Sequence, residues 1–365
     1  MPDQRADFRQ LVATAAGPVD GTRALWRRLG QAGVLDLARD PRPDSDVDPS
    51  RLDDLLTELD ACQPLGSVLA VCVQVATVVP ILRAMAGDSL WAAKVLGELC
   101  AGESVVALAA TDAGVSGSAL LDARTEIRGD PDARRLHGGK DWITNAIDCD
   151  YALVLAKHRP ARHFTSFCWV LVPTDHSGVS HQPAGDALFG GAAVGHLRFD
   201  DVPLRPEYII GRPGRALAEF AQHVGTERLA GAFWARTLGR RVLRDTYRYL
   251  DTRSTGDSTL WTNAAIRERF ARCVVEWRRL DALCQAATTR PHAAADWMVL
   301  KAACGEGVDR ILTECANLRG ADAFRDGGLA HLRAQVAMFG IAGGASGAML
   351  AGIADHVDEL LAGPG

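Results

Sequence analysis

The pattern of hydrophobic positions changes twice along the chain. In residues 5–102 apolar side chains recur at three- and four-residue intervals, as between Leu52 and Leu59, which is the spacing of helices with one buried face. Residues 122–212 instead contain short β-branched and aromatic runs separated by turn residues, which is typical of an all-β unit. From residue 217 the helical spacing returns. We therefore predict an α+β fold.

The predicted order is an N-terminal helical domain at residues 1–102, a middle β-barrel or sandwich domain at residues 103–213 and a C-terminal four-helix bundle at residues 214–365. Strands are predicted at residues 105–110, 123–128, 135–145, 151–157, 166–173 and 196–202. The predicted C-terminal helices lie at residues 217–253, 261–287, 293–318, 329–339 and 345–361. In the helix predicted at residues 261–287, Val274 is assigned to the buried stripe. In the N-terminal domain, residues 40–44 are predicted to form a loop.

Composition narrows the class of protein. The 365 residues are 48% hydrophobic and 23% charged, which is ordinary for a globular chain. Forty basic residues against 45 acidic ones give a net charge of −5, so we expect no nucleic-acid partner. The ten histidines show no spacing typical of metal ligands, and we expect no metal site.

The cysteines and the apolar runs of the sequence indicate the cellular location of the protein. The nine cysteines form no C-x-x-C pair, and the polar N-terminus has no following apolar segment, so we expect reduced thiols and a cytoplasmic protein. The most apolar run, residues 65–82, contains Gln74 and Pro80. It therefore fits a buried helix better than a membrane span, and we expect no membrane association.

One stretch has the chemistry of a binding platform. Residues 136–145 read Leu-His-Gly-Gly-Lys-Asp-Trp-Ile-Thr-Asn. A large ring at Trp142 beside a hydroxyl at Thr144 offers a flat polar heterocycle a face to lie on and a group that hydrogen-bonds its edge. The alternative is that Trp142 belongs to the core, which is the more common place for a tryptophan in a strand.

The order of domains and three sequence stretches resemble the acyl-CoA dehydrogenase superfamily. Residues 136–145 are similar to the family pattern L-N-G-x-K-x-W/F-I-T-N. Residues 197–203, Leu-Arg-Phe-Asp-Asp-Val-Pro, are similar to its last strand, and Ile210-Gly211 follows them. The segment from Thr226-Glu227-Arg228-Leu229 to Arg253 resembles the family's first long C-terminal helix.

The resemblance implies FAD as cofactor, bound near the subunit interface of a homodimer or homotetramer. Trp142 would flank the isoalloxazine, Thr144 would hydrogen-bond near its N5, and Ile143 would bring backbone groups to the ring. Arg253 would reach the FAD pyrophosphate of a neighbouring subunit, or else be a solvated charge at a helix end.

Two further segments follow from the same resemblance. Gly320 lies in the counterpart of the Q-x-x-G-G-x-G segment that contacts FAD in the family. Val115 and Ser116 lie in the counterpart of the T-E-P-x-A-G-S-D loop, which implies a place beside the thioester substrate. Both segments depart from the family pattern, so the resemblance also allows that FAD is held differently, weakly or not at all.

The largest departure concerns the catalytic base. Most family members remove the substrate's α-proton with a Glu in Y-E-G-T/S, but Ala342 stands at that position and no Asp or Glu occurs between Gly327 and Ala354. Glu227 stands in the E-R-L position that some members use instead. Glu227 is therefore our candidate base, and the alternative is a purely structural role at a helix start or in an ion pair.

Three functions remain open from the sequence. The first is FAD-dependent oxidation of an acyl thioester, carried by CoA or by an acyl carrier protein, in secondary metabolism. The second is a flavin monooxygenase of the N-oxygenase kind on the same fold, which needs no such Glu. The third is a non-redox, flavin-free member, including the degenerate half of a heteromer with a related flavin-bearing subunit.

Overall fold

The computed structural model describes residues 4–38, 47–185, 188–289 and 293–362. The predicted loop at residues 40–44 therefore lies outside the described residues. The chain forms two compact units, whose boundary falls between Glu227 and Arg228 inside one long helix. The three domain limits given above stay a prediction.

Helices make up the first part of the chain. They are α1 (Gln4–Ala15), α2 (Thr22–Gln31), α3 (Pro49–Cys62), α4 (Leu65–Val73), α5 (Val79–Ala86) and α6 (Leu90–Cys100). Helix α3 starts where Asp48 caps it, since the Asp48 carboxylate accepts the backbone N–H of Ser50 at 2.8 Å and Pro49 needs no such partner. Between α4 and α5 the helix widens into a π-helical turn, Gln74–Val78.

The apolar run forms a buried helix, as predicted. The continuous helical stretch Leu65–Ala86 is long and apolar enough to cross a membrane, with a mean hydropathy of 2.2, but 89% of its apolar window is buried inside the protein. Gln74 explains how a polar residue is accommodated there. Its side-chain amide donates to the backbone oxygen of Val106 and accepts the N–H of Val106 at 3.1 Å, so both buried amide groups are satisfied.

Among the described residues, eight strands form one sheet. They are β1 (Val106–Ala109), β2 (Glu126–Arg128), β3 (Arg135–Ile143), β4 (Tyr151–Lys157), β5 (Phe167–Pro173), β6 (Val179–Pro183), β7 (Gly195–Pro203) and β8 (Ile209–Ile210). The order is β6-β7-β3-β2-β4-β5-β8, and β1 pairs with β4 in parallel. Strands β4 and β5 are buried along nearly their whole length, which explains their unbroken apolar sequence.

The six predicted strands are present, and two others were missed. Strand β6 is polar and mostly exposed, and β8 has only two residues, so neither carries a hydrophobic pattern. The predicted strand at residues 123–128 begins only at Glu126, because a 3₁₀ turn at Leu120–Asp122 precedes it. The predicted strand at residues 135–145 ends at Ile143, since Thr144 already begins a turn.

Helices return after the sheet. They are α7 (Ala216–Thr252), α8 (Ala264–Ala286), α9 (Ala294–Arg319), α10 (Leu329–Val336), α11 (Ser346–Asp355) and α12 (Val357–Leu361). The single helix predicted at residues 345–361 was wrong, because the backbone leaves helical geometry at His356, with φ −115° and ψ 20°. The helix predicted at 329–339 ends at Val336, and a 3₁₀ turn at Ala337–Gly340 continues it.

The assignment of Val274 to the buried stripe of α8 was also wrong. Val274 is 37% exposed, whereas the preceding residue, Cys273, is 5% exposed. Successive residues of an α-helix point about 100° apart, so an error of one position moves a side chain out of the stripe. The buried positions of α8 are Phe270, Cys273, Leu280 and Cys284.

We expect stability to fall as the pH rises above 9. Burial raises the pKa of the Cys72, Cys149 and Cys168 thiols from 9.0 to about 12. Between these values the unfolded chain loses thiol protons that the folded chain keeps, so each thiol removes ~1.4 kcal/mol of stability per pH unit. Lys140, whose pKa burial lowers from 10.5 to about 8, acts with the opposite sign and offsets roughly one thiol.

Urea unfolding at pH 8 and pH 10, with reductant present, measures this effect. We expect a lower midpoint at pH 10 and a smaller difference in Cys168→Ala, which removes one of the buried thiols. A midpoint that stays constant or rises between these pH values would contradict the assignment.

Candidate functional site

A β-bulge presents Trp142 at the surface of the sheet. Between two successive cross-strand pairs of β3 and β7, β3 has two residues, Asp141 and Trp142, whereas β7 has only His196. Trp142 has a φ of 59°, in the left-handed region that bulky side chains rarely adopt. Such backbone strain persists where the surrounding structure imposes it, and it is common at functional sites.

The ring of Trp142 is not part of the core. Its exposed fraction is 66%, whereas Trp26, Trp169 and Trp234 are at most 2% exposed. One edge of the ring meets His196, with ring centroids 5.5 Å apart and planes at 81°, so the ring remains open to a ligand. The alternative that Trp142 is a core residue is therefore wrong.

The two residues after Trp142 differ in which of their groups a ligand could reach. The side chain of Ile143 is buried, so only its backbone is available. Thr144 is half-buried in the turn that follows β3, and its hydroxyl makes no hydrogen bond with any residue that the structure describes. The exposed ring and, two residues later, a half-buried hydroxyl are the residue types from which the sequence predicts a binding platform.

Polar side chains lie at the base of this platform. The Asp141 carboxylate lies 2.7 Å from Nη1 of Arg198 and 3.0 Å from Nδ1 of His196. The Trp142 N–H donates to the same Nδ1 at 3.3 Å. Asp141, His196 and Arg198 were not identified from the sequence, since their proximity depends on the bulge.

Beneath the platform lies a buried ion pair. The ammonium group of Lys140, which is fully buried, donates to the carboxylate of Asp112, to the oxygen of Ala110 at 3.0 Å and to the oxygen of Leu155 at 2.7 Å. Asp112 also accepts the backbone N–H of Thr125 at 2.7 Å. Burial lowers the pKa of Lys140, and the Asp112 carboxylate opposes that shift.

This ion pair holds the second predicted segment beside the first. Two backbone hydrogen bonds, of 2.9 and 3.1 Å, join residues 111–113 to residues 139–141 of β3. The loop therefore starts next to Trp142. Within it Val115 is half-buried and Ser116 is exposed, so both are accessible from the surface.

Glu227 meets the π-helical turn. It is half-buried in α7, and its Oε2 accepts a hydrogen bond of 3.2 Å from the hydroxyl of Thr77, which is fully buried. Burial, and to a smaller extent the nearby Glu227 carboxylate, raises the pKa of the Cys72 thiol to about 12, so this thiol stays neutral. π-Helical turns are rare in proteins, and those that occur are often found at functional sites. Thr77 was missed, although it is a hydroxyl within an apolar run.

One helical segment connects this carboxylate to the platform. The side chain of Asn145, two residues from Ile143, donates to the oxygen of Ala70 in α4 at 3.1 Å. Thr77 follows Ala70 by seven residues of continuous helix, a distance of about 10 Å along the axis. The platform and the candidate base thus belong to the same compact unit.

Arg253 and Gly320 lie in the other unit, at one end of it. The hydroxyl of Tyr249 donates to the oxygen of Arg319 at 3.3 Å, and the Arg319 guanidinium lies 5.0 Å from the Tyr249 ring centroid, so α7 and α9 end side by side. Arg253 follows α7 and is exposed. Gly320 ends α9 with a φ of 58°, a conformation that favours glycine.

The segment that lacks the usual Glu also lies in the second unit. Arg228, which follows Glu227 in α7, donates from Nε to the oxygen of Gly343 at 3.4 Å. Ile341 beside Ala342 is 69% exposed. Because residues 327–354 contain no Asp or Glu, this segment has no carboxylate that could serve as a base.

Two family models match this fold. The acyl-CoA dehydrogenase middle domain matches residues 107–202, and the acyl-CoA dehydrogenase C-terminal domain matches residues 218–357. The first match runs from within β1 to within β7 and includes the Trp142 platform, and the second runs from the first turn of α7 to the first residue of α12. The chain therefore belongs to the acyl-CoA dehydrogenase family.

Individual relatives are distant. An acyl-[acyl-carrier-protein] dehydrogenase, MbtN of Mycobacterium sp. (strain MCS), is 25% identical over 83% of this chain and 77% of its own length. The acyl-CoA dehydrogenase AFT10-1 of Alternaria alternata is 25% identical over 71% of this chain, and the match spans only 61% of that protein. The solved FAD complex of PigA has the same fold, with a TM-score of 0.88, 17% identity and 98% of each chain covered.

Proposed function

We propose that this protein is an FAD-dependent dehydrogenase of an acyl thioester, carried by CoA or by an acyl carrier protein, in secondary metabolism. The observation that carries the proposal is the exposed ring of Trp142, which a β-bulge holds two residues before Thr144 in the chain. Membership of the family supports the reaction class. The likeness to MbtN supports a carrier-protein thioester as one of the two substrate forms.

The residues fit FAD. Trp142 offers an open aromatic face, and Thr144 offers a hydroxyl that no described residue occupies. Arg253 follows the end of α7, Gly320 ends α9, and Tyr249 and Arg319 hold these helix ends side by side. The exposed guanidinium of Arg253 suits the pyrophosphate of a flavin held by a neighbouring subunit of a homodimer or homotetramer. When bound, FAD would supply the hydride acceptor for the β-carbon.

Glu227 would act as the base. Its carboxylate would take the proton from the substrate's α-carbon, and the Thr77 hydroxyl, at 3.2 Å, would hold one of its oxygens in place. The loop with Val115 and Ser116, tied to β3 next to Trp142, would line the thioester side of the site. Each of these groups belongs to the first compact unit.

A second candidate is a flavin monooxygenase. The observation in its favour is the absence of any Asp or Glu between Gly327 and Ala354, since such an enzyme needs no base at that position. It would use the same Trp142 platform. The third candidate is a flavin-free, non-redox protein, which would be colourless.

The visible spectrum of the purified protein, followed by substrate addition, tests these candidates. We expect flavin absorbance that bleaches without oxygen when an acyl thioester on CoA or on carrier protein is added, with no oxygen incorporated into the product. Bleaching only after NAD(P)H, with substrate-dependent oxygen uptake, would favour the monooxygenase. A protein that is colourless and takes up no FAD would leave only the non-redox reading.

A further inference from the structure

His196 lies opposite the bulge of β3 and contacts the platform through one ring nitrogen. Its Nδ1 lies 3.3 Å from the backbone nitrogen of Trp142, which donates a hydrogen bond to it, and 3.0 Å from Oδ1 of Asp141. The imidazole also meets the Trp142 ring edge-on and is only 16% exposed. A single nitrogen of His196 therefore meets both a hydrogen-bond donor and an anion.

The two contacts of Nδ1 require different protonation states. To accept the Trp142 N–H, Nδ1 must carry a lone pair, as it does in neutral imidazole with its proton on Nε2. To donate to the Asp141 carboxylate, Nδ1 must carry a proton, as it does in imidazolium. One nitrogen cannot do both at once. The charge of His196 therefore decides whether its Nδ1 holds the backbone of Trp142 or the side chain of Asp141.

The Asp141 carboxylate has a buried oxygen that lacks a donor. Oδ1 of Asp141 accepts no hydrogen bond from any residue that the structure describes. Nη1 of Arg198 lies 2.7 Å from it, but this group donates instead to the backbone oxygens of Lys140 and Leu197. A buried acceptor without a donor is unfavourable. A proton on Nδ1 of His196 would give Oδ1 a donor, at the expense of the hydrogen bond to the platform.

The charged groups beside His196 leave this choice balanced. The charged and titratable side chains next to it in the register of β3, β6 and β7, and in the loop joined to β3, are Asp141, Arg198, His181, Lys140 and Asp112. The last two form a buried ion pair with each other. The Nδ1 of His181 lies 2.5 Å from a backbone oxygen, and Gln182, the cross-strand partner of His196 in β6, is neutral. The Asp141 anion and the Arg198 cation thus oppose each other at the imidazole.

We propose that His196 is a positioning residue, which holds the Trp142 platform when neutral and releases it when protonated. In the neutral form Nδ1 accepts the Trp142 N–H and supports a backbone with a φ of 59°. In the protonated form Nδ1 donates to Asp141, and the Trp142 N–H loses its acceptor. Histidine side chains commonly change charge between about pH 5 and 8. A flavin on the platform, as in the proposed function on which this inference rests, is therefore held less firmly in acid.

The fluorescence of Trp142 reports the state of His196 without a flavin. Contact with imidazolium quenches indole emission, and the difference between wild type and Trp142→Phe isolates the emission of this ring. In flavin-free protein we expect that difference to fall from pH 8 to pH 5.5. It should stay constant in His196→Asn, whose amide oxygen can accept the Trp142 N–H at either pH. His137→Asn removes another histidine of β3, 3.1 Å from Asp201, and should behave as wild type.

Release of bound FAD is the second measurement. On dilution, free-flavin fluorescence should appear at least about fivefold faster at pH 5.5 than at pH 8, the effect of losing one hydrogen bond. The rate should be the same at both pH values in His196→Asn and should follow wild type in His137→Asn. PH-dependent emission or release that persists in His196→Asn would overturn the proposal, and so would FAD release from wild type that is independent of pH.

A protein that takes up no FAD would overturn the proposed function instead, and the emission of Trp142 then decides by itself whether His196 controls the platform. If His196→Asn does not fold, Asp141→Asn provides the test. This variant keeps the size of the side chain and removes the anion that favours imidazolium, so quenching should begin at a lower pH than in wild type. Quenching at an unchanged pH would contradict the role given to Asp141. Circular dichroism at pH 5.5 verifies that each variant remains folded.

Discussion

Replacement of Glu227 by Gln is expected to slow substrate-dependent bleaching of the flavin by about 10²–10⁴-fold, the usual contribution of a general base. Gln is nearly isosteric and can still accept the Thr77 hydrogen bond, but it cannot take a proton at neutral pH. FAD should stay bound, because the residues proposed to hold it lie elsewhere. Stopped-flow absorbance measures the rate, and the flavin-to-protein ratio measures the binding.

A matched control comes from the same helix. Glu219 precedes Glu227 by two turns of α7; burial raises the pKa of its carboxyl group, and Arg215 lowers it in part. Glu219→Gln makes the same chemical change and should bleach at nearly the wild-type rate. Loss of bleaching in Glu219→Gln with normal rates in Glu227→Gln would assign the base to Glu219 instead. Normal rates in both variants would remove the case for a base on this helix.

Replacement of Lys140 by Met is expected to reduce the free energy of unfolding by about 3–5 kcal/mol, the cost of leaving one partner of a buried ion pair uncompensated. Met fills a similar volume but donates nothing. The Asp112 carboxylate would then keep its charge in the interior, and the oxygens of Ala110 and Leu155 would each lose a donor. Because the pair also anchors residues 111–113 beside β3, the loop with Val115 and Ser116 should loosen.

Lys94→Met provides the comparison. Lys94 is 58% exposed and pairs with Glu98 at 3.6 Å within α6, so the same substitution there should cost less than about 1 kcal/mol. Urea unfolding followed by circular dichroism gives both values. If Lys140→Met were no less stable than Lys94→Met, the pair in the interior would contribute little. If Lys140→Met does not fold, Asp112→Asn, which keeps the side-chain size, should still show a loss larger than that of Lys94→Met.

The elements that carry strong patterns could be predicted from the sequence. Strands β4 and β5 are unbroken apolar runs, and the long helices repeat apolar residues over many turns. Elements without such a pattern were missed, since polar β6 and two-residue β8 form only because the sheet accepts their backbone. Val274 was placed in the buried stripe of α8 although the stripe passes through Cys273, and this single position, about 100° around the helix, is enough to expose the side chain.

The Trp142 platform, like the fold, could be predicted from the sequence only in part. The residue types at Trp142 and Thr144 pointed to a ring-binding surface, but an extra residue in β3 cannot be seen without its partner strand. The bulge opposite His196 decides that the ring faces outward. The contact of Thr77 with Glu227 joins residues 150 positions apart, and Thr77 lies in a π-helical turn that the apolar pattern of the chain does not indicate.

The amide of Gln74 has a consequence for the sheet as a whole. Strand β1 is paired with β4, and on the side of β1 where Gln74 lies, the Val106 N–H and oxygen are already bonded to this side chain. A sheet edge with unpaired backbone groups can recruit a strand from another molecule. By imitating one residue of a neighbouring strand, Gln74 occupies the backbone groups of Val106, so a helix side chain completes the sheet at this buried position where no further described strand pairs.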